Sequence, residues 1–403
     1  MHELGKREID LPLIVLLLLP WIDAFASILG PVLPLYKLGV LALGALLVYR
    51  HQEIYSLGLC TAFSCYLLFQ ILLLAFIVPE SVAKNFNYSF RIFYPLFLVA
   101  LFQIEFKRRG NAEELLSLFA HSVCIAALSS LLLGYFTGFG GEIAGRGSLL
   151  SGSKGFYIGA NEVGVILCIA VMLVFLAKLP KHFQIAYLTS IILSGVIVFT
   201  KSSLAASLLA MILLSMNFKL FRLFSYLGVF LFLYFAYTKI DKIMFFIENT
   251  FFRDLLIDPI SFVLRGRQTY IDAFFDSAIF YDDVLMSFKQ LIFGNGDYTT
   301  ARWIGRSLEI SSDAGIRTTF EMDFFDLLSG FGIAGVAFLI IIIWQCATKI
   351  ITFQIDNRFF IKICVVAILA HSFLAGHVLF SLQVTVLLAI TYLFCNSKTS
   401  GVK

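Results

Sequence analysis

Arg265-Gly266-Arg267-Gln268-Thr269-Tyr270 lies inside the one long polar stretch of the chain, Tyr237 to Phe324. That stretch closes on Thr318-Thr319-Phe320-Glu321-Met322-Asp323-Phe324. Nine of the chain's 30 Lys and Arg and thirteen of its 26 Asp and Glu fall within it. On both sides the sequence is nearly continuous hydrocarbon. Apolar runs on either side of one polar block read as membrane spans flanking a large extramembrane loop. The division is 1–236 for an N-terminal set of spans, 237–324 for the loop and 325–403 for a C-terminal set.

The overall composition agrees. The chain is 60% hydrophobic and 14% charged, with a mean hydropathy of +0.92, more apolar surface than a water-soluble domain of this length can hide. The lipid bilayer is therefore the expected partner. The net charge of +4 is small, and no basic run is interleaved with aromatics, so no nucleic-acid partner is expected. The seven cysteines lie in or beside apolar runs without CxxC or CxxH spacing, so neither a disulfide framework nor a metal site is indicated. Met1 to Arg7 leads into the first apolar run, which reads as a retained span and not as a signal peptide.

Runs long enough to cross a bilayer fall at roughly 11–30, 35–50, 54–78, 88–105, 115–134, 161–178, 183–200, 203–217, 223–237, 325–346, 360–377 and 379–395, about twelve in all. With the N-terminus inside, fifteen Lys and Arg fall on cytoplasmic pieces and six on the short outer pieces. The nine in the long loop are left out, because long loops cross regardless of charge. This predicts cytoplasmic termini and places the long loop, the 135–160 connection and the Thr200–Lys201 turn on the outer face. ATP is absent there, and no P-loop or dinucleotide fingerprint occurs on either side. A reaction on that face must use a substrate that carries its own activation.

Several constellations could hold or move charge, and each has a plainer reading. Gly145-Arg146-Gly147 and Gly159-Ala160-Asn161-Glu162 could cradle an anion. Equally, they are a flexible loop in which Asn161 caps the next helix and Glu162 meets its positive end. Lys201 could point into a cavity or reach the headgroups. Arg265 and Arg267 suit diphosphate oxygens through the guanidinium fork, or pair with Asp272, Asp276, Asp282 or Asp283. Thr318-x-x-Glu321 matches a capping box. Asp323 and Asp326 are three apart and share a helix face, and either could act as a general base. His371 and His377 have no third ligand nearby in sequence, and Asp23 is an acid inside the first span.

Together these pieces resemble the O-antigen polymerase and O-antigen ligase superfamily of bacterial envelope glycan enzymes. The resemblance covers nearly the whole chain in architecture. Its short motifs are Phe156 to Gly164, Thr200-Lys201-Ser202-Ser203, Arg267 with Tyr270, Phe293-Gly294-Asn295-Gly296, and Glu321 through Leu327 to Gly332-Ile333-Ala334-Gly335. It implies an all-α polytopic membrane protein of about twelve helices with one large extracytoplasmic loop, in a GT-C-like arrangement. Two departures set the subclass. Ser203 stands where the family's turn carries Arg, and Glu321 stands where the ligases carry His. The resemblance therefore favours a Wzy-type polymerase over a ligase.

That resemblance implies a glycosyltransferase, with no cofactor and no metal, acting on undecaprenyl-diphosphate-linked oligosaccharide at the bacterial inner membrane. Glu321 and Asp323 are the expected catalytic carboxylates. Arg146, Lys201, Arg265, Arg267, Arg317 and Asp326 are the expected substrate-binding residues. A chain-length regulator and a flippase are the implied protein partners. The competing classes are a ligase-type glycan transferase, a lipid-linked oligosaccharide flippase and a non-catalytic scaffold. Transporters commonly show two similar halves, and the chain has no internal repeat.

Overall fold

The computed structural model describes residues 11–30, 112–143, 152–157, 160–198, 200–219 and 323–352, together with short pieces between 35 and 72 and at 221–222, 271–272 and 291–294. The described chain is mostly helical. Its helices are α1 (Leu11–Ala24), α2 (Ala26–Leu29), α3 (Ala112–Thr137), α4 (Ala160–Leu176), α5 (Lys181–Val198), α6 (Lys201–Asn217) and α7 (Asp323–Thr352). α1 and α2 together, and α3 to α6 singly, coincide within a few residues with expected spans, and α7 runs six residues past the end of its own. The remaining expected spans lie wholly or largely outside the described residues. By length and apolarity, Glu114–Thr137 and Lys181–Val198 qualify as membrane-crossing helices among the described residues.

Three local readings need correction. The all-α expectation is modified by two short strands, β1 (Glu142–Ile143) and β2 (Gly152–Ser153), which pair antiparallel between α3 and α4. The first span is not continuous. Pro20 removes a backbone donor from α1, and Phe25 leaves the helical region at φ −112°, ψ 22° before α2 resumes. Asn161 is not an N-cap, because α4 already begins at Ala160, whereas Glu162 does occupy the first turn.

α4 is the centre of the described bundle. It packs on α3, α5 and α6, while α3 also packs on α1 and α5. Its run Val163 to Val174 is buried throughout, which a helix apolar on every side requires. Short connections make α4, α5 and α6 antiparallel neighbours. The end of α5 and the starts of α4 and α6 therefore share one end of the bundle. The last turns of α1 and α3 lie there too.

Small residues bring these helices close. A Cβ on Gly164 of α4 would collide with the Ser202 side chain and lie 2.7 Å from the Ser203 nitrogen. A Cβ on Gly195 of α5 would collide with Ser207 Oγ and stand 2.5 Å from the Ser203 carbonyl oxygen. Ser203 Oγ donates to the Gly195 carbonyl at 3.0 Å, and Ser207 Oγ donates to the Ile192 carbonyl at 3.2 Å. The α5–α6 seam is thus hydrogen-bonded as well as tight.

Candidate functional site at the hairpin end of the bundle

Ser130, fully buried on α3, ties this end together. Its hydroxyl donates to the Ala24 carbonyl at 2.6 Å, at the break in α1. The same oxygen accepts the Phe156 amide at 3.2 Å. Phe156 in turn offers its carbonyl to the Ser27 amide at 3.1 Å. Breaking a helix frees backbone groups that must find other partners. Here the residues just after β2 and one serine supply them. Trp21, Phe25 and Phe156 stack in succession, with centroids 6.4 Å and 5.5 Å apart.

The hairpin is held against α3 by backbone contact. Gly141 bonds across it in both directions. The Gly141 amide donates to the Gly155 carbonyl at 2.8 Å, and the Lys154 amide donates to the Gly141 carbonyl at 2.9 Å. Gly155 takes φ +60°, and a Cβ there would lie 2.7 Å from the Ser130 carbonyl oxygen. Both the left-handed backbone and the close approach demand glycine. A Cβ on Gly134 would meet the Gly155 Cα at 2.6 Å.

Tyr157 follows directly after this anchor, within electrostatic reach of Asp23 and Glu162. Tyr157 is 2% exposed and Asp23 6%. Burial pushes the Tyr157 hydroxyl well above the usual phenol range, and the carboxylates of Asp23 and then Glu162 push it further. The charge of Asp23 also reaches Tyr36, whose hydroxyl donates to the Val15 carbonyl at 2.5 Å. Asp23, an unexplained acid in the sequence, thus stands at the break of α1 among tyrosines.

The Thr200 turn closes the same end. Thr200 Oγ1 accepts the Ser203 amide at 3.2 Å, and Ser203 Oγ accepts the Thr200 amide at 2.9 Å, a reciprocal capping box. Ser203 is therefore committed to the cap and to Gly195, which accounts structurally for a small hydroxyl at this position. Lys201 opens α6 directly after the cap.

The second constellation is formed by Gly294 and α7. Gly332 interrupts α7 at φ 64°, ψ −159°, a region open essentially to glycine alone. A Cβ there would collide with the Ile292 carbonyl and lie 2.6 Å from the Gly294 nitrogen. Reciprocally, a Cβ on Gly294, itself at φ +72°, would lie 2.5 Å from the Phe331 nitrogen. The end of the 291–293 helical turn and the break in α7 touch backbone to backbone.

Asp323 is the first residue of α7. Asp326 lies one turn on and is 2% exposed. Its carbonyl accepts Ser329 Oγ at 3.1 Å. Arg146, Arg265, Arg267, Arg317 and Glu321, with Thr318 of the expected capping box and the two histidines His371 and His377, lie outside the described residues. Among the described residues no three His, Cys, Asp or Glu side chains gather as a metal site. Sequence reasoning did not single out Ser130 or Tyr157. Neither carries a local signal, because each role depends on the break in α1, more than a hundred residues away along the chain. No protein-family model matches the chain, and no curated protein matches it.

Proposed function

We propose that the protein is a polysaccharide polymerase of the bacterial cytoplasmic membrane, with about twelve spans and both termini cytoplasmic. It joins undecaprenyl-diphosphate-linked oligosaccharide repeat units on the outer face. What supports the reading is a pair of contacts. The motif ending in Gly164 touches the motif Thr200–Ser203, and the turn containing Gly294 touches the α7 break at Gly332. The stretches that carry the resemblance to envelope glycan polymerases are thus packed in pairs, although each pair is separated in sequence.

In the proposed reaction, the terminal sugar hydroxyl of the acceptor attacks the anomeric carbon of the donor. The new bond joins that oxygen to the carbon, and the bond from the carbon to the diphosphate oxygen breaks. Glu321 or Asp323 takes the hydroxyl proton. The leaving undecaprenyl diphosphate is already a stable anion and needs charge neutralisation more than an acid. Arg267 and Arg146, with Lys201 at the start of α6, supply it. Arg265, Arg317 and Asp326 complete the substrate-binding set. One displacement inverts the anomeric configuration.

The test uses purified protein in proteoliposomes with lipid-linked repeat units. The proposal expects a ladder of longer glycans. A single transfer to a different acceptor would instead indicate a ligase, and translocation without elongation a transporter. Full elongation activity after Arg267→Ala combined with Glu321→Gln and Asp323→Asn would overturn the residue assignments.

A further inference from the structure

The outer surface of α3 carries a pattern that none of the foregoing chemistry uses. Leu118, Ile125, Leu133 and Phe136 are exposed, from 37% at Leu118 to 78% at Phe136. At 100° per residue they fall on one narrow stripe of the helix. From Leu118 to Phe136 the stripe is roughly 27 Å long at 1.5 Å per residue, close to the hydrocarbon thickness of a bilayer, about 30 Å. No charged residue occurs between Leu115 and Thr137. The two serines on the same side keep their hydroxyls inside the protein. Ser122 Oγ donates to the Leu17 carbonyl at 2.6 Å, and Ser129 Oγ donates to the Ala126 carbonyl at 3.1 Å. A surface facing hydrocarbon must satisfy its polar groups internally in this way.

The stripe ends in aromatics. Tyr135 and Phe136 meet edge to face at 5.5 Å, and Phe139, 85% exposed, follows in the turn before β1. Tyr and Trp concentrate where a span meets the headgroups, and Tyr135 stands there beside the two phenylalanine rings.

We infer that this stripe of α3 is a lipid-facing surface, and that Tyr135, Phe136 and Phe139 sit at the water–hydrocarbon boundary. They would fix the hairpin and the Ser130 junction at the level of the headgroups. The inference takes from the proposed function only that the chain lies in a bilayer, and it is independent of the reaction.

The test places tryptophan at Ile125, Phe136 and Phe139 in three separate variants of the full chain. Each variant's emission, less that of the parent protein, is measured in phosphatidylcholine vesicles brominated either near the headgroup or near the chain ends. The expected result is stronger loss of Ile125→Trp emission with the deep bromines. Phe136→Trp and Phe139→Trp should lose more emission with the shallow ones. Equal deep quenching at all three positions would overturn the boundary assignment. So would quenching of Phe139→Trp by aqueous iodide but by neither lipid. If Ile125→Trp responds to neither lipid, protein covers the stripe and its lipid-facing assignment is wrong. A glycan ladder obtained alongside that result would leave the polymerase reading standing, so the two failures are distinguishable.

Discussion

Gly332 presses on Gly294. A Cβ on the first would lie 2.6 Å from the backbone nitrogen of the second, and both residues hold positive φ. The contact locks the end of a short turn in the long polar segment against the break in α7. Substituting alanine at Gly332 forces a side chain into a glycine-only region and into the Ile292 carbonyl. Gly332→Ala is expected to cost about 1–3 kcal/mol, read as a lower thermal midpoint in detergent. Because both added carbons enter the same backbone contact, Gly332 against Ile292 and Gly294 and Gly294 against Gly330 and Phe331, the double variant with Gly294→Ala should cost less than the sum of the two single variants.

Ser130 is the second point of dependence. Ser130→Ala leaves the Ala24 carbonyl and the Phe156 amide without the hydroxyl they share. Leaving buried groups unsatisfied costs roughly 1–3 kcal/mol. The expected result is a drop in stability with faster amide exchange at Phe156. Ser129→Ala, whose hydroxyl bonds within its own helix turn, should change stability little.

The α4–α6 crossing predicts a size limit. Gly164→Val places branched carbons where Ser202 and the Ser203 amide already stand. Overpacking of this kind costs about 1–3 kcal/mol or more. The capping box at Thr200 should open at the same time, and the lower thermal midpoint in detergent should be accompanied by faster exchange of the Ser203 amide.

Tyr157 sets a pH dependence. Its folded pKa is raised, by burial first and by Asp23 and Glu162 next, above the ordinary value of about 10. A raised folded pKa means that stability is fully present below the unfolded value and is lost as pH rises beyond it. The native protein should therefore weaken progressively above about pH 10. Tyr157→Phe should lose less stability over that alkaline range, and an unchanged alkaline slope would contradict the placement of the hydroxyl.

The sequence makes the helices legible because a span must be apolar over most of its length, and length alone then locates it. It hides the break at Phe25, because the residues around it are as apolar as those of an unbroken helix. Pro20 is a visible sign, and the break becomes intelligible only once Ser130 and Phe156 are seen to receive the freed backbone. The hairpin is equally hidden: strands of two residues carry no period, and they form through Gly141, Gly155 and α3. At Thr200 the sequence draws attention to Lys201, while the pattern Thr-x-x-Ser encodes the cap. The Gly294 and Gly332 motifs are each visible, but their contact depends on a path through the long segment that no local rule supplies. Glu321 and Arg267 remain readings of sequence pattern.

The most direct test of the account is the stoichiometry of carrier release. Protein in proteoliposomes, given lipid-linked repeat units with a chelator and no nucleotide, should release one undecaprenyl diphosphate for each repeat added to the growing glycan. Release without elongation, or elongation only when a nucleotide is supplied, would contradict it.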